Sequence, residues 1–375
     1  MTTQATTGVL SSRDNTIDIL KGVGIILVVI GHSGCPHIVS KYIYTFHMPL
    51  FFMASGYFFS EKSVKNLWTF VKKKIKGIYL PFALCSLAFL LLHNTLFKFG
   101  LINDEYGTTT GVVSSLYSDR EIVTRALSII TRMDGYENLL LGAFWFLRAL
   151  FFSSLILCFG TWLLGLVVKS TEKAILIISV LCLCVAGMLK YAHFSLPYIA
   201  QGGYREMIGV FFMGAGFFLK KYKDVLLNSK LAIIFAFIIS IGLFIFHPAS
   251  MELSTGVIDW IIIPFSGISG TFIVFYLSHK WNSHSHNKIV AYIGRKSIWI
   301  LALHLLVFKL SELIEIAIYG LPIQMIGCHP IIPSPNDWFF CIHTLVAVSI
   351  PTILAFLLTK GKAVQHINKS SSLQS

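Results

Sequence analysis

Lys21 and His32 stand eleven residues apart in one apolar run, Ile17-Asp18-Ile19-Leu20-Lys21-Gly22-Val23-Gly24-Ile25-Ile26-Leu27-Val28-Val29-Ile30-Gly31-His32. On an α-helix that spacing is a rise of about 16 Å, roughly half the hydrocarbon thickness of a bilayer. A Lys or Asp at mid-bilayer costs about 2.5–3.5 kcal/mol on insertion scales, so ionisable groups on one span need a use. A lysine near one water phase suits an anionic ligand, and a histidine well inside the membrane suits a base or a nucleophile. Asp18 precedes Lys21 by one turn, where it can pair with it and orient it. Arg13 adds charge at the same mouth. Gly22, Gly24 and Gly31 leave a smooth strip on which a helix or a thin ligand can approach closely.

Other polar groups are expected at a depth similar to that of His32. His47 falls in Phe46-His47-Met48-Pro49-Leu50-Phe51-Phe52, Trp145 and Arg148 near the start of a later apolar run, and Arg205 with Glu206 at the start of another. Intramembrane ionisable residues usually face a bundle interior or a water cavity. The set supplies His32 as base, His47 to orient it, Arg148 as oxyanion stabiliser, and Trp145 and Glu206 as substrate contacts. Plainer readings stand beside these. Lys21 can be a snorkelling anchor, His304 a packing residue, and Arg205–Glu206 an interfacial ion pair. His284 and His286 lack a ligand pattern, and no metal site is expected.

These residues need membrane helices to position them. The 375-residue chain is 55% hydrophobic and 13% charged, with a mean hydropathy of +0.75. A soluble domain carries about 25% charged residues. The apolar runs are continuous rather than alternating, which excludes a β-barrel and predicts an all-α polytopic membrane protein. Ten spans are expected, near 16–36, 43–60, 76–97, 140–168, 174–190, 204–220, 231–247, 257–278, 296–318 and 338–359. Pro49 is expected to distort the second. The net charge of +13 is dispersed between the spans, so it signals topology rather than nucleic-acid binding. Lys62, Lys65, Lys72, Lys73, Lys74 and Lys76 gather in one connection, and Lys220, Lys221, Lys223 and Lys230 in another on the same side. This bias puts both termini in the cytoplasm.

A polar tail (1–15), one membrane domain (16–360) and a second polar tail (361–375) complete the organisation. The long outward loop 98–139 is expected to carry a short helix over Arg120–Met133. The other outward loop, 319–337, holds Pro322, Pro330, Pro333 and Pro335 and reads as a rigid cap. Seven scattered cysteines read as small hydrophobes, with a Cys35–Cys328 bridge left open.

The sequence resembles membrane acyltransferase family 3. The resemblance rests on Asp18-Ile19-Leu20-Lys21-Gly22 with Gly31-His32, and on Phe46-His47-Met48-Pro49-Leu50-Phe51-Phe52 with Ser55-Gly56. Trp145-Phe146-Leu147 before Leu150-Phe151, Gly214, and the block from Gly294 to His304 add to it. It implies a membrane O-acetyltransferase that moves acetyl from cytoplasmic acetyl-CoA to a hydroxyl of a cell-surface polysaccharide or lipid-linked sugar. His32 matches the family's essential histidine, as base or transient acyl carrier. Where many members have arginine, this chain has Lys21, as in the subgroup that includes fucose and polysaccharide O-acetylases. Lysine keeps the charge and loses the planar bidentate fork.

On that likeness Lys21 and Arg13 hold acetyl-CoA, a donor substrate rather than a resident cofactor. His32, His47 and Asp18 are the catalytic candidates. The expected location is the inner membrane of a bacterial-type cell, with all chemistry in the membrane domain and no soluble catalytic domain after it. Transport or flipping of a glycan intermediate is the rival reading, because an internal polar cavity and broken helices serve transport as well.

Overall fold

Pro49 divides the second expected span. Its ring blocks the carbonyl four residues back, that of Thr45, so one helix cannot run through 43–60. In the computed structural model of the protein, α1 (Thr16–His32) is followed by α2 (His37–Tyr44), a break at Thr45 and Phe46, and α3 (His47–Tyr57). Pro49 lies in the first turn of α3, where a missing N–H costs no helical bond. Two helices therefore replace the single distorted one. The structure describes residues 14–196, 200–251, 256–282, 287–333 and 338–371.

Beyond α3 the chain forms α4 (Glu61–Lys65) and α5 (Leu67–Lys74), then runs through a π turn (Ile75–Tyr79) into α6 (Leu80–Lys98). Pro81 has no N–H to offer the carbonyl of Gly77, and the wide turn falls on that carbonyl. The helix expected in the long loop is α7 (Asp119–Arg132). The Glu121 N–H donates to the Ser118 hydroxyl at 3.3 Å to cap it, and Met133 ends it in the left-handed region at φ 53°. Then come α8 (Asn138–Leu141), α9 (Trp145–Leu164), α10 (Thr171–Tyr191), α11 (Tyr204–Lys221), α12 (Lys223–Asn228), α13 (Lys230–Phe246), α14 (Val257–Asn282), α15 (Lys288–Arg295), α16 (Ser297–Tyr319) and α17 (Phe340–Ser371). The fold is all-helical, 79% helix with no strand among the described residues.

Each of the ten expected segments holds a helix, yet among the described residues six helices are long and apolar enough to cross a membrane. They are Leu67–Lys98, Asn138–Leu164, Thr171–Tyr191, Ile258–Asn282, Ser297–Tyr319 and Phe340–Thr359. The helices α1 and α13 have 17 residues and α3 has 11. Helix α11 carries Arg205, Glu206, Lys220 and Lys221. The short helices include the inner ones: α1 packs against α3, α14, α15, α16 and α17, and α3 against α11. Gly22 and Gly294 face each other's helices across the α1–α15 crossing, and a Cβ at either would overlap a backbone carbonyl of the other helix. By contrast α13 turns Ile234, Phe235, Phe237 and Ile238 outward and buries only Ala236 and Ser240. An apolar outer face is what lipid demands.

At the end of the bundle that carries α7, two loops pack into a cap. The Asn103 side-chain amide donates to the Gln324 carbonyl at 2.9 Å, and the His329 N–H donates to the Gly107 carbonyl at 2.9 Å. Within this cap Cys328 is a free thiol, as is Cys35, so no bridge joins them. Pro335 lies outside the described residues.

Candidate active site

Helix α1 carries Lys21 and His32 on one continuous stretch, as their spacing requires. Both line a cavity of about 260 Å³ that also takes in His47 from the first turn of α3 and Trp145 from the first turn of α9. Its remaining wall is mostly apolar, with Phe51 and Leu147 on one side and Ser297 and Leu301 of α16 on another. His32 is half-buried, while His47 is 3% exposed.

Three rings gather near His32. Its Nδ1 lies 3.0 Å from Nε2 of His304, with the two rings nearly parallel at 12°. His304 is fully buried on α16, and its Nδ1 lies 3.0 Å from the carbonyls of both Ile300 and Leu301. His47 is tied instead to its own approach segment, with Nδ1 2.9 Å from the Ile43 carbonyl and its ring edge-on to Tyr44 at 4.9 Å. The residue that holds His32 is thus His304, where His47 was the sequence-based expectation.

Next to this cavity lies a second, of about 770 Å³, which shares Ser55, Phe58, Gly77 and Ile78 with it. Lys62, Lys73 and Lys74 line it, together with Ser60, Ser63 and Asn66. At the shared wall the Lys74 ammonium donates to the Ser55 hydroxyl at 3.2 Å. The π turn at Ile75–Tyr79 forms part of that wall through Gly77 and Ile78. A cationic, hydroxyl-lined chamber beside a mostly apolar cavity suits a ligand with an anionic head and a thin neutral arm.

The other expected site residues lie elsewhere. Asp18 pairs with Arg295 of α15 at 3.4 Å, at the crossing of the two helices. Arg13 lies outside the described residues. Arg148 and Glu206 form a buried ion pair at 2.8 Å between α9 and α11, and both line a separate cavity of about 170 Å³. Arg148, Phe152 and Ile156 share one face of α9, while Ala143, Phe146, Leu147 and Leu150 turn to the His32 cavity. Trp145 lines the His32 cavity and also meets α11, where the Arg205 guanidinium lies 4.2 Å above its ring. So Lys21, His32, His47 and Trp145 are brought together, and Asp18, Arg148 and Glu206 are not. The sequence signal for the missed His304 is its place at the end of the block that begins at Gly294.

A family model described as an acyltransferase domain matches residues 14–359, nearly the whole chain. No curated protein and no solved structure matches it.

Proposed function

The chain belongs to membrane acyltransferase family 3, and from that premise we propose that it is a membrane O-acetyltransferase. It takes acetyl from cytoplasmic acetyl-CoA and gives it to a hydroxyl of a cell-surface polysaccharide or lipid-linked sugar across the membrane. In this reading ten segments cross a bacterial inner membrane, with both termini cytoplasmic. One observation carries it: the cavity that holds His32 adjoins a lysine-lined chamber, and Ser55, Phe58, Gly77 and Ile78 line both. The phosphates of the donor sit among Lys62, Lys73 and Lys74. Its pantetheine arm follows the shared wall past Ser55 and Lys21, and the thioester comes to rest beside His32.

His32 then removes the proton from the acceptor hydroxyl. The oxygen attacks the thioester carbonyl, a C–O bond forms, and the C–S bond breaks. The proton passes from His32 to the departing thiolate, so that an acetyl ester and free CoA are the only products. His47 presents a second imidazole to the same space, and Trp145 closes it on the α9 side. The water-poor wall keeps the thioester from hydrolysis.

Cells carrying His32→Ala in place of the wild-type chain are expected to lose acetyl groups from their envelope glycans, read by mass spectrometry. Unchanged acetylation overturns the proposal. In proteoliposomes, release of CoA from acetyl-CoA distinguishes acyl transfer from transport of a glycan.

A further inference from the structure

His304 is buried on α16 and does not line the cavity, yet its ring meets the one histidine on which the proposed reaction turns. The hydrogen bonds on either side of it dictate where the protons lie. A carbonyl oxygen only accepts, so the contacts of His304 Nδ1 with the Ile300 and Leu301 carbonyls, both at 3.0 Å, require an N–H at that atom. A neutral imidazole has one ring hydrogen, which leaves Nε2 of His304 as an acceptor. The atom 3.0 Å away, Nδ1 of His32, must then be the donor. With its hydrogen on Nδ1, His32 keeps its lone pair on Nε2.

We propose that His304 is a positioning residue that sets the tautomer and ring orientation of His32, making Nε2 the atom that takes the acceptor's proton. The inference deepens the acyltransfer reading and rests on it for its functional meaning. The logic is that of a Ser-His-Asp triad, in which a buried acceptor behind the histidine fixes the working nitrogen, and loss of the correct tautomer costs about 10⁴ in rate. Here the acceptor is a second imidazole, itself locked by two carbonyls of its own helix. The lock matters because a freely rotating His304 would offer either nitrogen. Burial at 0% exposure and the edge-on ring of Phe308, 5.8 Å away, hold it in place.

Proton transfer balances through the same pair. The acceptor's O–H bond breaks, its hydrogen moves to His32 Nε2, and the Nδ1–H bond to His304 persists or shifts toward His304 Nε2. The positive charge is thus shared over two rings until Nε2 returns the proton to the CoA thiolate. His47 lacks this arrangement. Its Nδ1 is anchored on the Ile43 carbonyl in the same way, but the imidazole that lies 3.0 Å from His32 Nδ1 is that of His304.

The test compares His304→Gln, whose side-chain oxygen can accept from His32 Nδ1, with His304→Leu, which cannot. The protein is purified whole in detergent with ¹⁵N-labelled histidine, and the His32 signal is identified by its loss in His32→Gln. The wild type and His304→Gln are expected to carry the His32 proton on Nδ1, and His304→Leu to lose that preference. In acetyl-CoA turnover, kcat is expected to fall about 100-fold or more in His304→Leu, within the range of a positioned base. The KM for acetyl-CoA should change less than about twofold, and His304→Gln should recover at least about tenfold of the lost kcat. A wild-type His32 protonated on Nε2 overturns the inference, as does His304→Leu with wild-type kcat. If His304→Leu does not fold, the tautomer in the wild type and in His304→Gln still decides it. Absence of CoA release by the wild-type protein overturns the acyltransfer reading instead, and the tautomer measurement stands apart from that result.

Discussion

The Lys74 ammonium donates at 3.2 Å to the hydroxyl of Ser55, a residue that lines both the lysine-lined chamber and the His32 cavity. Lys74 ends α5, and Gly77 and Ile78 of the π turn that follows line the same wall. A cation in the wall of a chamber that also holds Lys62 and Lys73 is placed to meet the phosphates of an incoming donor. Hydrogen bonds to charged groups contribute about 1.5–3 kcal/mol each, which is roughly a ten- to hundredfold effect. Lys74→Ala is expected to raise the KM for acetyl-CoA about tenfold or more with kcat within about threefold of wild type. Steady-state kinetics at low salt checks it. An unchanged KM removes Lys74 from the donor site.

The α1–α15 crossing gives a second prediction. A Cβ on Gly294 would overlap the Asp18 carbonyl, and one on Gly22 would overlap the Val290 carbonyl. Backbone cannot yield as a flexible side chain can, so the helices would have to part. Overpacking of this kind costs about 1–3 kcal/mol. Gly294→Ala is expected to lower the melting temperature of the detergent-purified protein and to weaken the Asp18–Arg295 pair beside it. Replacement of Gly242, whose Cβ would meet open space, serves as the control that leaves melting unchanged.

Local features of the site and fold are legible in the sequence, and the long-range ones are not. Helix α7 follows from a capping serine, acidic residues in the first turn and an amphipathic period, all within fifteen residues of one another. Lys21 and His32 share a helix, so their separation along it needs only the rise per residue. The partner of His32 lies 272 positions away, and only the packing of α16 against α1 brings it within 3.0 Å. Asp18 shows the converse. Its near neighbour Lys21 satisfies the i,i+3 rule and feels its charge, while α15 crosses α1 on glycines and delivers Arg295 to the same carboxylate. Arg148 and His32 are expected at similar depth, yet depth does not say which face of α9 a side chain occupies.

Beneath the cap, a buried cluster predicts how stability divides between its members. The Lys309 ammonium donates to both carboxylate oxygens of Glu312, at 3.3 and 3.0 Å, and to the Cys328 carbonyl at 2.6 Å. One helical turn on, Glu315 meets His343 at 3.2 Å, and His343 in turn meets Ser311 at 2.7 Å. Removing one partner of a buried ion pair costs about 3–5 kcal/mol, because a charge is left without compensation. Lys309→Met is therefore expected to destabilise the protein strongly in a thermal melt. The double variant Lys309→Met with Glu312→Leu removes both charges and should recover most of that loss. Equal melting of the single and double variants would show that Glu312 needs no cation.

The cap should also weaken in acid, in two stages set by His329 and Glu137. Burial, helped by nearby Lys309, pushes the His329 imidazole down from 6.5 to about 4. In the unfolded chain that ring takes up a proton as pH falls through 6.5, while the folded ring stays neutral until about 4. Between those values the unfolded state binds more protons, so stability falls as pH falls and levels off below about 4. Burial pushes the Glu137 carboxyl up, but hydrogen bonds from His93, the Leu139 N–H and Tyr117 outweigh it and hold the group below its ordinary value. Its contribution is present above the ordinary glutamate range and is lost as pH drops through the lowered value, which is the second stage. Amide hydrogen exchange across residues 98–118 and 320–333 is expected to accelerate first between pH 6.5 and 4, after correction for intrinsic rates. In His329→Gln that first stage should vanish while the second, owed to Glu137, remains. A wild-type cap whose protection is flat from pH 7 to 4 would contradict the assignment of the first stage to a half-buried His329.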